Sequence, residues 1–346
     1  QLEQAAATWS TRPTQGIDTE FLRERTYPAA LGLVQVSDGA TAWLLDPLAV
    51  KDLEPLVAML ENPGILKILH SGSEDLEVLL HTIGALPDPL VDSQVACAML
   101  GQPLQMGYHS AVQWLFDIEV DKEQTRSHGC QQPLRQKQLD YAALDVTLLP
   151  EMIDTLLPRL EEKDRWAWLQ EDVSRMRETA RRVPDPQMAY QRVSGAGRLD
   201  RQELKMLRAL AAWREETAIQ RDLARGFVIN DAGLMNLVRA RPSSTNDILR
   251  VDGVHPRALE RYKKALFRVL QAAEDDSTSV EMPDPLNGPQ RRLLKDMRQL
   301  VLERASELEV DPALLASRRE LEKLIRTGNS SEELPERFLG WRREVI

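Results

Sequence analysis

Gly16-Ile17-Asp18-Thr19-Glu20-Phe21 decides how this chain is read. Apolar and polar residues alternate through it, the period of a β-strand. Residues two apart on a strand point the same way, so Asp18 and Glu20 share a face. Ile17 and Phe21 make the strand an interior one, and two carboxylates side by side there are costly to bury unless something cationic sits between them. Working outward, residues 31–36 and 41–45 read as two further strands, joined at Ser37-Asp38-Gly39, where Asp-Gly signals a hairpin turn. The period then changes. Leu53, Leu56, Val57 and Leu60 fall on one helical stripe, residues 65–69 form a short apolar strand, and Ser73 is placed to cap a helix through Leu76, Val78, Leu79 and Leu80. Further helices are expected around 93–100, 109–117 and 134–157.

A chain of 346 residues implies two or three domains. No apolar run approaches the roughly 20 residues needed to cross a bilayer, and Gln1-Leu2-Glu3-Gln4 has neither the basic start nor the apolar stretch of a signal peptide. Cys97 and Cys130 are too few for a disulfide framework and have no CxxC spacing, so a reducing cytoplasm is expected. Net charge is −10, but it is unevenly divided. Residues 1–160 hold 10 Lys/Arg against 22 Asp/Glu, a net of −12, whereas residues 198–270 hold 15 against 9, a net of +6. The acidic part would repel a polyanion unless cations intervene; the basic part suits phosphate contact. No Gly-rich loop of the Walker type is present, which excludes an attached ATPase engine.

Strand signals stop near residue 160. Arg181-Arg182-Val183-Pro184-Asp185-Pro186 and Ser194-Gly195-Ala196-Gly197 read as linker. Residues 200–272 look all-helical, with Leu204, Leu207, Leu210, Ala211 and Trp213 as a core stripe. A second linker around Glu274-Asp275-Asp276-Ser277-Thr278-Ser279 leads to another helical unit over 287–346, whose 12 Lys/Arg against 11 Asp/Glu over 286–346 leave it nearly neutral.

Three more residues join the pair on the first strand. Asp75 lies near the start of a helix that follows the strand ending at His70, and Tyr141 and Asp145, four apart, share a helical face. Four carboxylates can hold two Mg²⁺ or Mn²⁺ ions, which prefer hard oxygen ligands. Ions about 3.5–4 Å apart clamp the attacking and leaving oxygens of a phosphodiester displacement. Taken singly, each pattern is common: an acid at a helix start usually only complements the dipole, and a Tyr–Asp pair is usually an amphipathic face. His70 reads as a hydrogen-bonded histidine, and His128 and Cys130 make no zinc pattern.

Together the strings are specific. Asp18-Thr19-Glu20-Phe21, His70-Ser71-Gly72-Ser73-Glu74-Asp75-Leu76 and Gln138-Leu139-Asp140-Tyr141-Ala142-Ala143-Leu144-Asp145-Val146 resemble, in order and spacing, the three exonuclease motifs of ribonuclease D. Leu31-Gly32-Leu33-Val34-Gln35 and Asp121-Lys122-Glu123-Gln124-Thr125-Arg126-Ser127 carry the likeness between them. Trp213-Arg214, Arg221-Asp222-Leu223 and Gly226-Phe227-Val228 resemble an HRDC module, and Leu339-Gly340-Trp341-Arg342-Arg343-Glu344 resembles the family's terminus.

The resemblance implies an α/β plus all-α protein: a ribonuclease H-like mixed-sheet exonuclease domain over 1–165, a helical connector over 166–197, a first HRDC domain over 198–275, a linker over 276–286, and a second HRDC-like domain over 287–346. It implies the DEDD superfamily in its tyrosine-bearing branch, with Asp18, Glu20, Asp75, Tyr141 and Asp145 catalytic. Asp18, Glu20 and Asp145 would hold one of two divalent ions (Mg²⁺ or Mn²⁺); Asp18, with Asp75 directly or through water, would hold the other. Tyr141 would orient the attacking water. The implied reaction releases nucleoside 5′-monophosphates from the 3′ end of RNA, tRNA precursors among the substrates, by a cytoplasmic monomer with no membrane partner.

Arg23, Arg25, Arg135 and Lys137 flank the motifs and are candidate RNA contacts. One departure stands out: after Ser127 the family usually has Asp-Trp and then an Arg before Pro-Leu, where this chain has His128-Gly129-Cys130-Gln131-Gln132 before Pro133-Leu134. It touches none of the expected metal ligands. A DNA 3′→5′ exonuclease and a catalytically silent RNA-binding protein are the alternative readings.

Overall fold

β1 (Thr14–Leu22) lies in the middle of a five-stranded sheet, with β2 (Ala30–Ser37) and β3 (Ala42–Leu45) to one side and β4 (Leu66–Leu69) and β5 (Leu90–Asp92) to the other. The structure is a computed structural model that describes residues 2–22, 25–118, 136–278, 280, 282, 286–327 and 334–346. β2 and β3 form the antiparallel hairpin expected at Asp38-Gly39, with Val36 opposite Trp43. β4 runs parallel to β1, Gly16 opposite Ile68, and β5 parallel to β4, Leu69 opposite Asp92. This is the mixed sheet that the sequence pattern implies. β5, only three residues long, is too short to carry a period of its own.

Helices fill the connections: α1 (Leu2–Trp9) before the sheet, α2 (Glu54–Leu60) and α3 (Ser73–Ile83) around β4, then α4 (Ser93–Met99), α5 (Tyr108–Phe116), α6 (Gln136–Thr147), α7 (Leu149–Glu162) and α8 (Trp166–Arg181). Two expectations need correcting. The cap of α3 is Gly72 and not Ser73, which is the first helical residue. The single helix expected over 134–157 is broken at Leu148 into α6 and α7, with Pro150 in the first turn of α7, where its missing N–H costs nothing. Residues 119–135, which include the His128-Gly129-Cys130 departure, lie outside the described residues.

The chain divides into two compact units, one of residues 1–21, 31–181 and 286–346, the other of 22–30 and 182–285. In the first unit, the C-terminal helices α14 (Gly288–Glu307), α15 (Pro312–Leu315), α16 (Arg318–Thr327) and α17 (Trp341–Val345) are anchored on α8. The fully buried Arg342 guanidinium forks onto both Asp172 oxygens at 2.6 Å, and Trp341 stacks on Trp168 with ring centroids 4.4 Å apart. Among the described residues, no helix is long and apolar enough to cross a membrane.

The second unit is built on α9 (Arg201–Arg221), with α10 (Arg225–Val228), α11 (Asp231–Ala240), α12 (Thr245–Ile248) and α13 (Pro256–Asp275) around it. A capping box between Asp200 and Glu203 starts α9. Of the two stretches read as linker, Ser194-Gly195-Ala196-Gly197 is part of a pair of 3-10 turns over 186–192 and 196–198, and Ala189, Tyr190, Val193 and Ala196 are buried in this unit's core. Tyr27 also packs against that core. Its hydroxyl donates to the buried Glu215 carboxylate, onto which Arg225 also forks with Nε at 2.6 Å and Nη2 at 2.5 Å. The Arg225 guanidinium lies 5.0 Å over the Tyr27 ring.

Burial alone would raise the Glu215 pKa, but hydrogen bonds from Arg225 and Tyr27 bring it below the usual glutamate value. A carboxylate depressed in the folded state contributes stability above its unfolded pKa and loses it as pH falls through the folded value. Arg225 is itself 42% exposed, so removing Glu215 leaves a partly solvated cation and costs less than the roughly 3–5 kcal/mol of a fully buried pair. Glu215→Ala should therefore destabilise the second unit near neutral pH, measured by hydrogen exchange of α9. The gap from wild type should narrow below the ordinary glutamate pKa; a gap independent of pH would refute the assignment.

Candidate active site

The parallel strands determine where the carboxylates stand. β4 ends at Leu69, one residue past the partner of Gly16, so Asp18 projects beyond the carboxyl end of β4, the edge at which α/β sheets present their sites. There the chain turns through His70, Ser71 and Gly72 into α3. Ser71 takes φ +62°, and a Cβ on Gly72 would lie 2.7 Å from the Leu69 side chain, so the turn admits only a bare Cα at that position. Asp92, at the end of β5, fixes the turn from the side. One oxygen accepts from the Gly72 N–H at 2.8 Å while the other caps α4 through Gln94 and Val95. The result places Asp75, 6% exposed, in the first turn of α3, where its carboxylate accepts a hydrogen bond from the Thr19 hydroxyl of β1.

The other side of the site comes from α6. Gly16 lies two residues before Asp18 on the same strand face, and a Cβ built on it would be 2.8 Å from both the Val146 carbonyl and the Leu149 Cβ. The α6–α7 break therefore rests directly on the β1 backbone, with Asp145 one residue before that contact. Tyr141 is hydrogen-bonded to Asp145, and so is His109 of α5, with Nε2 3.2 Å from Oδ1. Asp18, His70, Tyr108, His109, Tyr141 and Asp145 line a cleft of about 400 Å³.

Electrostatics marks the four carboxylates as one group. Burial, followed by the charges of Asp75, Asp145 and Glu20, holds Asp18 well above the usual carboxylate range. Burial and the charges of Asp145 and Asp75 raise Glu20; burial raises Asp75 to about 6 and also raises Asp145. Tyr141 is pushed up to about 12, chiefly by burial and the Asp145 charge, and so stays protonated at neutral pH. The donors are hard oxygens on a common edge, and their mutual repulsion is what a divalent cation relieves, so their chemistry fits Mg²⁺ or Mn²⁺. In the conformation described, Asp75 is turned onto Thr19 and Asp145 onto His109 and Tyr141. Among the described residues, no three His, Cys, Asp or Glu side chains surround one point closely enough to hold an ion.

The five residues singled out from the sequence thus lie at one end of the sheet. Of the candidate RNA contacts, Arg23 and Arg135 lie outside the described residues, as does the side chain of Lys137. Arg25 is exposed, and its carbonyl accepts from the Ala224 N–H at 2.9 Å. His70 is partnered on both ring nitrogens, Nδ1 with Ser93 Oγ at 2.8 Å and Nε2 with the Met106 carbonyl at 2.9 Å, as expected of a structural histidine. Sequence reasoning did not find Thr19, Asp92, Tyr108 or His109. Asp92 alone had a readable signal, an Asp-Ser pair at a helix start.

Residues 1–161 match a family of 3′–5′ exonucleases and residues 203–270 the HRDC domain. Fold and match together define a 3′→5′ exonuclease domain joined to HRDC-type helical modules. Residues 289–346 match the C-terminal HRDC domain of ribonuclease D. Over 99% of its length the chain is 39% identical to ribonuclease D of Pseudomonas paraeruginosa, covering 92% of that protein. It is 34% identical to the Escherichia coli enzyme over 96% of this chain and 91% of that one. The crystal structure of Escherichia coli ribonuclease D superposes with a TM-score of 0.90 at 32% identity, over 100% of this chain and 94% of that one. The chain belongs to the ribonuclease D family of 3′→5′ exoribonucleases.

The Gly16 contact makes a specific prediction. Gly16→Ala drives a methyl group into backbone and side-chain atoms, costing about 1–3 kcal/mol, and shifts α6 with Tyr141 and Asp145. A misplacement near 1 Å can cost about a hundredfold in rate. The variant, still folded by circular dichroism, should lose activity by about tenfold or more. Wild-type activity in that variant would mean that the contact does not set the site.

Proposed function

We propose that this protein hydrolyses the 3′-terminal phosphodiester of RNA at the cleft lined by β1, α5 and α6, releasing nucleoside 5′-monophosphates. The observation that carries this reading is the convergence of Asp18, Glu20, Asp75 and Asp145, each raised in pKa by burial, at the carboxyl end of the parallel strands. Asp18, Glu20 and Asp145 are the proposed ligands of one divalent cation, and Asp18 with Asp75 those of a second. Such ions supply water activation and neutralise charge on the phosphate.

The protein's own groups do the rest. Thr19 holds the Asp75 carboxylate by a hydrogen bond, so the α3 ligand is oriented from the strand that bears Asp18 and Glu20. Tyr141, protonated at neutral pH, can donate a hydrogen bond to the attacking water but does not serve as its base. The basic balance of residues 198–270 supports non-specific grip on the phosphate backbone, weakening steeply with salt.

Escherichia coli ribonuclease D is described as an exoribonuclease involved in structured RNA processing. Structured RNAs with a short 3′ extension, tRNA precursors among them, in the cytoplasm, are the proposed substrates here. For the domain layout we propose an exonuclease domain over 1–165, a connector over 166–197, and helical domains over 198–275 and 287–346.

The test is a 5′-labelled RNA with a single-stranded 3′ tail, incubated with Mg²⁺ or Mn²⁺. The expected result is a ladder shortening from the 3′ end, 5′-monophosphate products, and loss of both on adding EDTA. Asp18→Asn should reduce the rate by roughly a thousandfold or more, since it removes a ligand shared by both proposed ions. Tyr141→Phe should lower kcat by roughly 10–100-fold with little change in KM. Hydrolysis that survives EDTA, or an active Asp18→Asn, would overturn the reading, and faster decay of a matched DNA would replace RNA with DNA as substrate.

A further inference from the structure

The start of α5 is joined to the part of α6 that carries Asp145. Tyr108, the first residue of α5, donates its hydroxyl to the Leu144 carbonyl at 2.9 Å and accepts from the Leu148 N–H at 3.3 Å, so one oxygen ties the backbone on both sides of Asp145. Burial raises the Tyr108 pKa far above neutral, which keeps the donating proton in place. On its other side the Tyr108 ring meets His70 edge-on, centroids 5.8 Å apart, and His70 is itself held by Ser93 and the Met106 carbonyl.

The next residue, His109, faces the site. Its side chain is 13% exposed and that of Asp145 17%, and Nε2 lies 3.2 Å from Asp145 Oδ1. The carboxylate accepts, so Nε2 carries the hydrogen. The same ring stands edge-on to Tyr141 at 87°, centroids 5.9 Å apart. One imidazole therefore touches both α6 side chains to which the proposed chemistry assigns a role.

We propose that His109 is a positioning residue of the site: by donating to Asp145 and packing on Tyr141, it sets the carboxylate that α6 presents to a divalent cation. This rests on the reading of Asp145 as a metal ligand. Ligating carboxylates are commonly held by such an outer hydrogen bond, and removing the outer partner costs about 10–100-fold in metal affinity or activity. Tyr108 is the brace for this arrangement, because it fixes the α5–α6 spacing that brings His109 within reach.

The experiment measures Mn²⁺ binding to the full-length protein directly, by electron paramagnetic resonance of free Mn²⁺, alongside hydrolysis of the tailed RNA. Wild type, His109→Ala, His109→Gln and Asp145→Asn are compared. His109→Ala should bind Mn²⁺ about tenfold more weakly, lose rate at low metal and recover much of it at high metal. Its KM for RNA and its thermal midpoint should stay near wild type. His109→Gln, whose amide can donate to Asp145, should regain most of the affinity. If His109→Ala binds Mn²⁺ like wild type, or if its loss lies wholly in KM or folding, His109 is not a positioning residue. If Asp145→Asn leaves Mn²⁺ binding unchanged, the ligand reading of Asp145 fails, and this inference fails with it. Asp145→Asn weakened while His109→Ala is unaffected rejects the His109 role alone.

Discussion

The site depends on one close approach, that of the α6–α7 break to the bare Cα of Gly16. The Val146 carbonyl and the Leu149 side chain occupy the space that any Cβ would need. Gly16, Asp18 and Glu20 share a strand face, so the contact that seats the helix is on the same face as the two carboxylates and about 7 Å from the first along the strand. It follows that α6 presents Asp145 to Asp18 and not elsewhere. The break at Leu148, with Pro150 following it, falls between the two contacting residues, Val146 and Leu149, three positions apart. Leu149, Val146, Ile17 and Ile68 are all essentially buried, so the helix is held there by packing and the carboxylates are not needed to hold it.

That division of labour has an energetic reason. Burial raises the pKa of all four carboxylates, and the charges of Asp75 and Asp145 raise Asp18 and Glu20 further, so without counter-charge the group does not help to hold the fold and the apolar contacts must. The hydrogen bonds at the site orient these groups. Thr19 on Asp75, Tyr141 and His109 on Asp145, and the Gly72 N–H on Asp92 all supply donors and fix orientation. The site is thus pre-set by hydrogen-bond donors, while the first 160 residues carry a net of −12 that divalent cations would have to offset at a polyanion.

How much of this could be read from the sequence follows the range of each interaction. Strand parity put Asp18 and Glu20 together, and helical spacing did the same for Tyr141 and Asp145; both are local periods. The grouping of those pairs with Asp75 came from the resemblance of whole strings to a family, and no period in the chain contains it. Thr19 reaches Asp75 across 56 residues and His109 reaches Asp145 across 36, distances over which a sequence carries no register. His109 is also a single polar residue at a helix start, where nothing separates it from a solvated one. The 194–197 stretch was misread for a different reason. Ser194-Gly195-Ala196-Gly197 has the composition of a linker, but Tyr190, Val193 and Ala196 are spaced three apart for 3-10 turns, whose pattern is too short to show as a period.

Domain order along the chain and compact units in space also differ here. Residues 22–30, which join the catalytic strand to its neighbour in the sheet, count with the helical second unit. Tyr27 is the reason: its ring packs on that unit's core, its hydroxyl meets the buried Glu215, its N–H is 3.2 Å from Asp222 Oδ1, and Arg225 covers its ring. Leu22 is therefore both the last residue of the strand bearing Asp18 and Glu20 and the first of a segment whose polar groups find their partners among residues 215–225. A chain cut at residue 181 would leave the Tyr27 hydroxyl and ring, seven positions after Glu20, without those partners. A fragment ending at residue 181 therefore keeps residues 22–30 and loses the rest of the compact unit to which they belong, so a cut placed by sequence order divides that unit.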